Sequence, residues 1–103
     1  MNERQKMLLE AIKSRVETLL GRRYEWRQNS RQMIAEYGQS AFSEVAAAEE
    51  FGCRTKFDSV FGRPPESDGE RMRFNRDLSA LVKAGLVTIT ECGAKTRFVR
   101  PIA

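Results

Sequence analysis

Apolar residues at Met7, Leu8, Ile12, Val16, Leu19 and Leu20 recur at spacings of three and four, with charges between them. One such stripe predicts an amphipathic helix over 3–20, stopped by Gly21. A basic and aromatic run follows, Arg22-Arg23-Tyr24-Glu25-Trp26-Arg27. Aromatics among bases can stack on nucleic acid, but Tyr24 and Trp26 are read here as anchors that hold a loop on the core. A second helix is predicted over 30–37, with Met33, Ile34 and Tyr37 inward and Gly38 at its end. A third spans 41–51, with Ser40 as N-cap, Phe42, Val45, Ala46 and Phe51 inward, and Gly52 as its stop. A short fourth helix over 56–61 carries Phe57, Val60 and Phe61 on one side. Thr55 and Asp58 before it have the form of a capping box.

The stretch Gly62-Arg63-Pro64-Pro65-Glu66-Ser67-Asp68-Gly69 predicts a loop, with Ser67 or Asp68 capping the helix after it. That helix runs over 70–84 and stops at Gly85. At about 100° per residue, Phe74, Leu78, Leu81 and Val82 gather on one side of it. Arg73, Arg76, Ser79, Ala80 and Lys83 gather on the other, with Asn75 at the margin. Beyond Gly85 the period switches to two. Leu86-Val87-Thr88-Ile89-Thr90 and Thr96-Arg97-Phe98-Val99-Arg100 alternate as strands do, around a turn at Glu91-Cys92-Gly93-Ala94-Lys95. The expected fold is mainly α with a small C-terminal β-hairpin over 86–100.

Composition narrows the class. A chain of 103 residues, 41% apolar and 31% charged, suits one globular domain over 1–103. No apolar run approaches the roughly 18–20 residues of a membrane span. The charged start does not resemble a secretory signal, so a cytoplasmic location is expected. The net charge of +4 is unevenly placed. Residues 1–53 hold eight Lys/Arg and eight Asp/Glu, whereas 54–103 hold ten and six. Between Arg71 and Arg100, seven bases face two acids, Asp77 and Glu91. A basic half beside a neutral one is what a phosphate-facing surface needs. Glu36, Glu44, Glu49 and Glu50 make the region of the second and third helices acidic and ill-suited to DNA.

The run Asn75-Arg76-Asp77-Leu78-Ser79-Ala80-Leu81-Val82-Lys83-Ala84-Gly85-Leu86-Val87, followed by Gly93-Ala94-Lys95-Thr96-Arg97-Phe98-Val99-Arg100, resembles the recognition helix and wing of winged-helix (winged helix-turn-helix) DNA-binding regulators. The resemblance covers about the last third of the chain. It implies a winged helix-turn-helix over 40–103 with extra N-terminal helices over 1–38. It also implies double-stranded DNA as partner, with helix 70–84 in the major groove and hairpin 86–100 as a basic wing. The residues it marks for DNA are Arg73, Asn75, Arg76, Ser79 and Lys83 on the helix and Lys95, Thr96 and Arg97 on the wing. Regulation of transcription is the implied role. Pairing of two copies through helix 3–20, giving a dimer, would match a palindromic target.

Catalysis is not expected. The chain has no histidine and no phosphate-cradling glycine loop. Glu49 and Glu50 diverge on a helix, and Asp58, Asp68 and Glu70 lack metal-ligand spacing. No metal, cofactor or small-molecule ligand is predicted. Cys53 and Cys92 stand apart and are expected as free buried thiols, with a disulfide between them as the alternative. The alternative class is a winged-helix protein-interaction module, either an adaptor or a phage- or plasmid-type antagonist of a nucleic-acid-binding protein. A DNA binder needs helix face and wing positive together, whereas an adaptor more often shows an exposed apolar patch.

Overall fold

In the computed structural model, which describes residues 1–93 and 95–102, Asn2 opens the first helix. Its side chain accepts from the Gln5 amide at 2.8 Å, and the Gln5 side chain accepts from the Asn2 amide at 3.2 Å. Helix α1 runs from Glu3 to Gln28, straight through the predicted stop at Gly21. A helical Gly costs only about 1 kcal/mol relative to Ala, and tertiary packing outweighs it. Trp26 is buried, with its ring 5.7 Å from Tyr37 and 5.9 Å from Phe42. Arg23 pairs with Glu49. Trp26 is thus a core anchor but on a helix, not a loop, while Tyr24 points outward at 75% exposure.

Helix α2 (Ser30–Tyr37) follows a single break at Asn29, and α3 (Gln39–Phe51) follows a single break at Gly38. At Gly38 φ is +93°, which only Gly adopts freely, so two helices can meet across one residue. Gly38, not the predicted Ser40, occupies the N-cap of α3. Strand β1 (Cys53–Arg54), α4 (Phe57–Phe61), α5 (Asp68–Lys83), β2 (Val87–Cys92) and β3 (Thr96–Pro101) complete the order. The predicted capping box at Thr55 and Asp58 does not form. Lys56 is the N-cap of α4 and makes no side-chain cap. Helix α5 starts two residues earlier than predicted, so Asp68 and Gly69 belong to it and not to the loop. Ala94, within the predicted turn, and Ala103 lie outside the described residues.

The chain is mainly helical with a small three-stranded antiparallel sheet in the order β1-β3-β2. The hairpin pairs Val87 with Pro101 through Cys92 with Thr96. Strand β1, which has no readable period, pairs Cys53 with Val99 and Arg54 with Phe98. Helix α1 is the spine, touching every other element except β2 among the larger packing contacts. Ile12, Leu19, Leu81, Val99 and Cys53 are the most deeply buried side chains.

The predicted stripe on α1 is rotated. Leu8, Leu9, Ile12 and Leu19 are buried and Val16 is half-buried, while Met7 and Leu20 are exposed. Most of its apolar area therefore covers the chain's own core. Tyr37 and Ala46, expected inward, are exposed, and Phe61 and Val82 are only partly covered. Two carboxylates counted as surface charge lie inside. Glu44 accepts from Arg15 at 3.1 and 3.2 Å, with Arg54 at 4.0 Å. Asp77 is 2% exposed and accepts from Arg4 Nε at 2.6 Å and Nη2 at 3.2 Å. Buried carboxylates persist only when paired in this way.

Two glycines give opposite expectations. Nothing lies within 4 Å of a Cβ built on Gly21, so Gly21→Ala should stabilise the fold by about 0.5–1 kcal/mol. At Gly52, where φ is +92°, a Cβ would fall on the Val99 carbonyl and separate α3 from β3. Gly52→Ala should therefore cost about 3 kcal/mol or more, or prevent folding. Urea denaturation of the two variants measures both effects.

Candidate nucleic-acid interface

Helix α5 is positioned at its start by a compact polar knot. Ser67 Oγ accepts from the Glu70 amide at 3.1 Å. Arg63 donates to both Glu70 oxygens at 3.0 and 3.3 Å, and the Glu66 amide donates to Oε1 at 2.9 Å. The Arg63 hydrogen bonds, helped by that amide, hold the Glu70 carboxyl below its ordinary range. The Arg63 guanidinium also lies 4.9 Å from the centre of the Phe57 ring. The proline loop is thereby drawn onto the first turn of α5. Asp68 and Glu70 oppose the positive end of the helix, and Lys83 sits at the negative end.

Phe74, Asp77, Leu78 and Leu81 are the buried side of α5. Every predicted helix residue, Arg73, Asn75, Arg76, Ser79 and Lys83, is exposed, but they do not form one cluster. Two positions apart at about 100° each, Arg73 and Asn75 point to opposite flanks, about 160° from one another. Arg73 leans towards α1 and lines a hollow with Arg4, Met7, Phe61 and Arg63. Asn75 leans the other way, into a hollow shared with Arg71, Thr55, Lys56, Asp58, Pro64 and Pro65. Between the flanks, Arg76, Ser79 and Lys83 crest the helix.

On the hairpin, Lys95 and Arg97 are exposed and Thr96 is half-buried. All three line a cleft with Arg54, Thr55 and Lys56. Thr55 and Lys56 thus belong to both hollows and join the Asn75 flank of α5 to the hairpin. Pairing of β1 with β3 is the cause. It carries on past Arg54, so that the Thr55 amide donates to the Arg97 carbonyl at 3.1 Å. Arg54, Thr55, Lys56 and Arg71 were not singled out from sequence as site residues. A two-residue strand has no periodicity to reveal the first three. Arg71 could have been found by its spacing, one helical turn before Asn75.

The charge of this surface is largely uncompensated. Among the described residues, Lys56, Arg71, Arg73, Arg76, Lys83 and Lys95 enter none of the ion pairs. Arg97 lies 3.9 Å from Glu91, a loose exposed contact, and Asp58 is the carboxylate lining the Asn75 hollow. Asp77, the other acid of the basic stretch, is turned inward onto Arg4. Cations left unpaired on a surface create a positive field that attracts a polyanion.

Among the described residues, no three His, Cys, Asp or Glu side chains gather as a metal site. No helix there is long and apolar enough to cross a membrane. Both cysteines are free thiols, Cys53 buried and Cys92 half-buried rather than buried as expected. Burial, reinforced by the charge of Glu44, pushes the Cys53 thiol up to about 12. A thiol needs its thiolate form to react. A disulfide reagent at pH 8 should therefore modify Cys92 in the native chain and reach Cys53 only on unfolding. Titration of free thiols in native wild type and Cys92→Ser checks this, and rapid native modification of the variant would contradict it. No protein-family model, curated protein or solved structure matches this chain.

Proposed function

We propose that this chain is a non-enzymatic winged-helix protein that binds double-stranded DNA. The observation that carries the reading is the continuous cationic surface from Arg71 and Asn75, through Thr55 and Lys56, to Lys95, Thr96 and Arg97. A helix face and a hairpin that are positive together, on one side, are what a reader of duplex DNA requires. The order of elements also supports it: a helix, β1, short α4, α5, then the β2–β3 hairpin, with the sheet arranged β1-β3-β2. In this arrangement α5 enters the major groove and the hairpin follows the backbone as a wing. Arg76, Ser79 and Lys83 face base edges, while Lys56, Lys95 and Arg97 meet phosphates. Regulation of transcription is the role that fits such a module. One copy suffices for this geometry, because the α1 stripe that would pair two copies is mostly consumed by the core.

A second reading, a protein-interaction module, draws on one feature. Met7 and Phe61 are exposed beside Phe57 and Phe74 in the hollow between α1, α4 and α5. Such apolar exposure suits a protein partner.

Fluorescence anisotropy with a labelled random-sequence duplex, at low and near-physiological salt, separates the two. The expected result is salt-sensitive binding. Lys95→Ala should weaken random and selected sites alike and reduce the salt slope by about 0.9, the share of one phosphate. Arg76→Ala should weaken a selected site at least about tenfold more than random sequence. Absence of binding at low salt would overturn the DNA reading and favour the module.

A further inference from the structure

Met72 occupies the middle of the exposed face of α5, yet it carries no charge and no hydrogen-bonding group suited to phosphate. It is 61% exposed, one of the larger apolar exposures in the chain. At about 100° per residue, Met72 points almost directly away from the buried side made by Phe74, Asp77, Leu78 and Leu81. Arg76, Ser79 and Lys83 follow it at steps of four, three and four residues. The four side chains therefore form a single ridge along the helix, with Met72 at its N-terminal end.

We propose that Met72 is a specificity-determining residue that contacts the 5-methyl group of a thymine in the major groove. The inference rests on the DNA-binding reading of α5. Three physical points carry it. A helix that enters the groove reads base edges chiefly with its N-terminal residues, and Met72 lies in the second turn of α5. Of the groups on the major-groove edge, the thymine methyl is the apolar one, and apolar side chains are its natural partners. A flexible, polarisable thioether adapts to such a contact without demanding a fixed rotamer. Arg76 stands four residues further on, about 6 Å along the axis, and has the planar fork that grips guanine O6 and N7. A rise of that size spans about one to two base-pair steps of duplex. The preferred site therefore holds a thymine within one or two base pairs of a guanine.

The test begins with selection of preferred sites from a random duplex library by the wild-type chain. Each thymine of the selected site is then replaced singly by deoxyuridine, which pairs identically but lacks the methyl group. One replacement should weaken wild-type binding about fourfold, the worth of one buried methyl-sized group. The same replacement should leave Met72→Ala and Met72→Gln unaffected. Salt slopes should be equal for all three proteins, because no charge is altered. If the chain binds duplexes and selects a site but no deoxyuridine substitution weakens it, the Met72 contact is overturned and the DNA reading stands. If it binds no duplex even at low salt, the DNA reading fails and this inference fails with it. The deoxyuridine arm uses the wild-type protein, so its outcome does not depend on either variant folding.

Discussion

The rotation of α5 about its own axis is the constraint on which the proposed interface depends. Phe74, Leu78 and Leu81 give that rotation an apolar preference, but an apolar stripe tolerates some slippage. Asp77 removes the tolerance. It lies inside the buried side, and a carboxylate there is stable only where donors meet both oxygens. Arg4, near the start of α1, supplies two hydrogen bonds from a planar fork. With Asp77 held in this way, Arg76, Ser79 and Lys83 are left pointing outward. The pair also withdraws a negative charge from the basic half, so it orients the helix and clears the field around it.

The sheet performs the equivalent service for the hairpin. Strand β3 lies between β1 and β2, and both of its faces are covered. Val99 enters the core, while Phe98 stacks on Phe51 with ring centres 6.0 Å apart. Gly52 allows the end of α3 to pass against Val99, which delivers Cys53 and Arg54 to the edge of β3. The chain then leaves the sheet at Thr55 and Lys56, between the hairpin and α5. A two-residue strand thus closes the gap between the two parts of the cationic surface.

The N-terminal helices bear on this surface indirectly. Helix α1 uses its apolar stripe internally, and Glu44 is neutralised by Arg15 and Arg54 rather than displayed. Among the acids of α3, Glu49 meets Arg23 and Glu50 is exposed. Asp77 and Glu70, acids of the basic half, are buried or paired, while most of its bases are not.

Local signals made much of this legible. The switch from a period near four to a period of two located α5 and the hairpin within a few residues. The broad exposure of Arg73, Asn75, Arg76, Ser79 and Lys83 followed from the wheel alone. Gly21 misled because a glycine lowers helix propensity by an amount that distant packing of Trp26 overrides. Thr55 misled because its hydroxyl and amide turn to the Arg97 carbonyl, 42 positions away, instead of capping α4. Period and composition are properties of neighbouring residues. The sequence by itself therefore determined the helical segments and the hairpin, apart from the last two turns of α1 and strand β1, and which half is basic. Which flank of α5 adjoins the hairpin, which carboxylates are withdrawn and what joins the two cationic parts all require contacts between segments far apart in the chain. Those were decided only when β1 paired with β3 and Arg4 met Asp77.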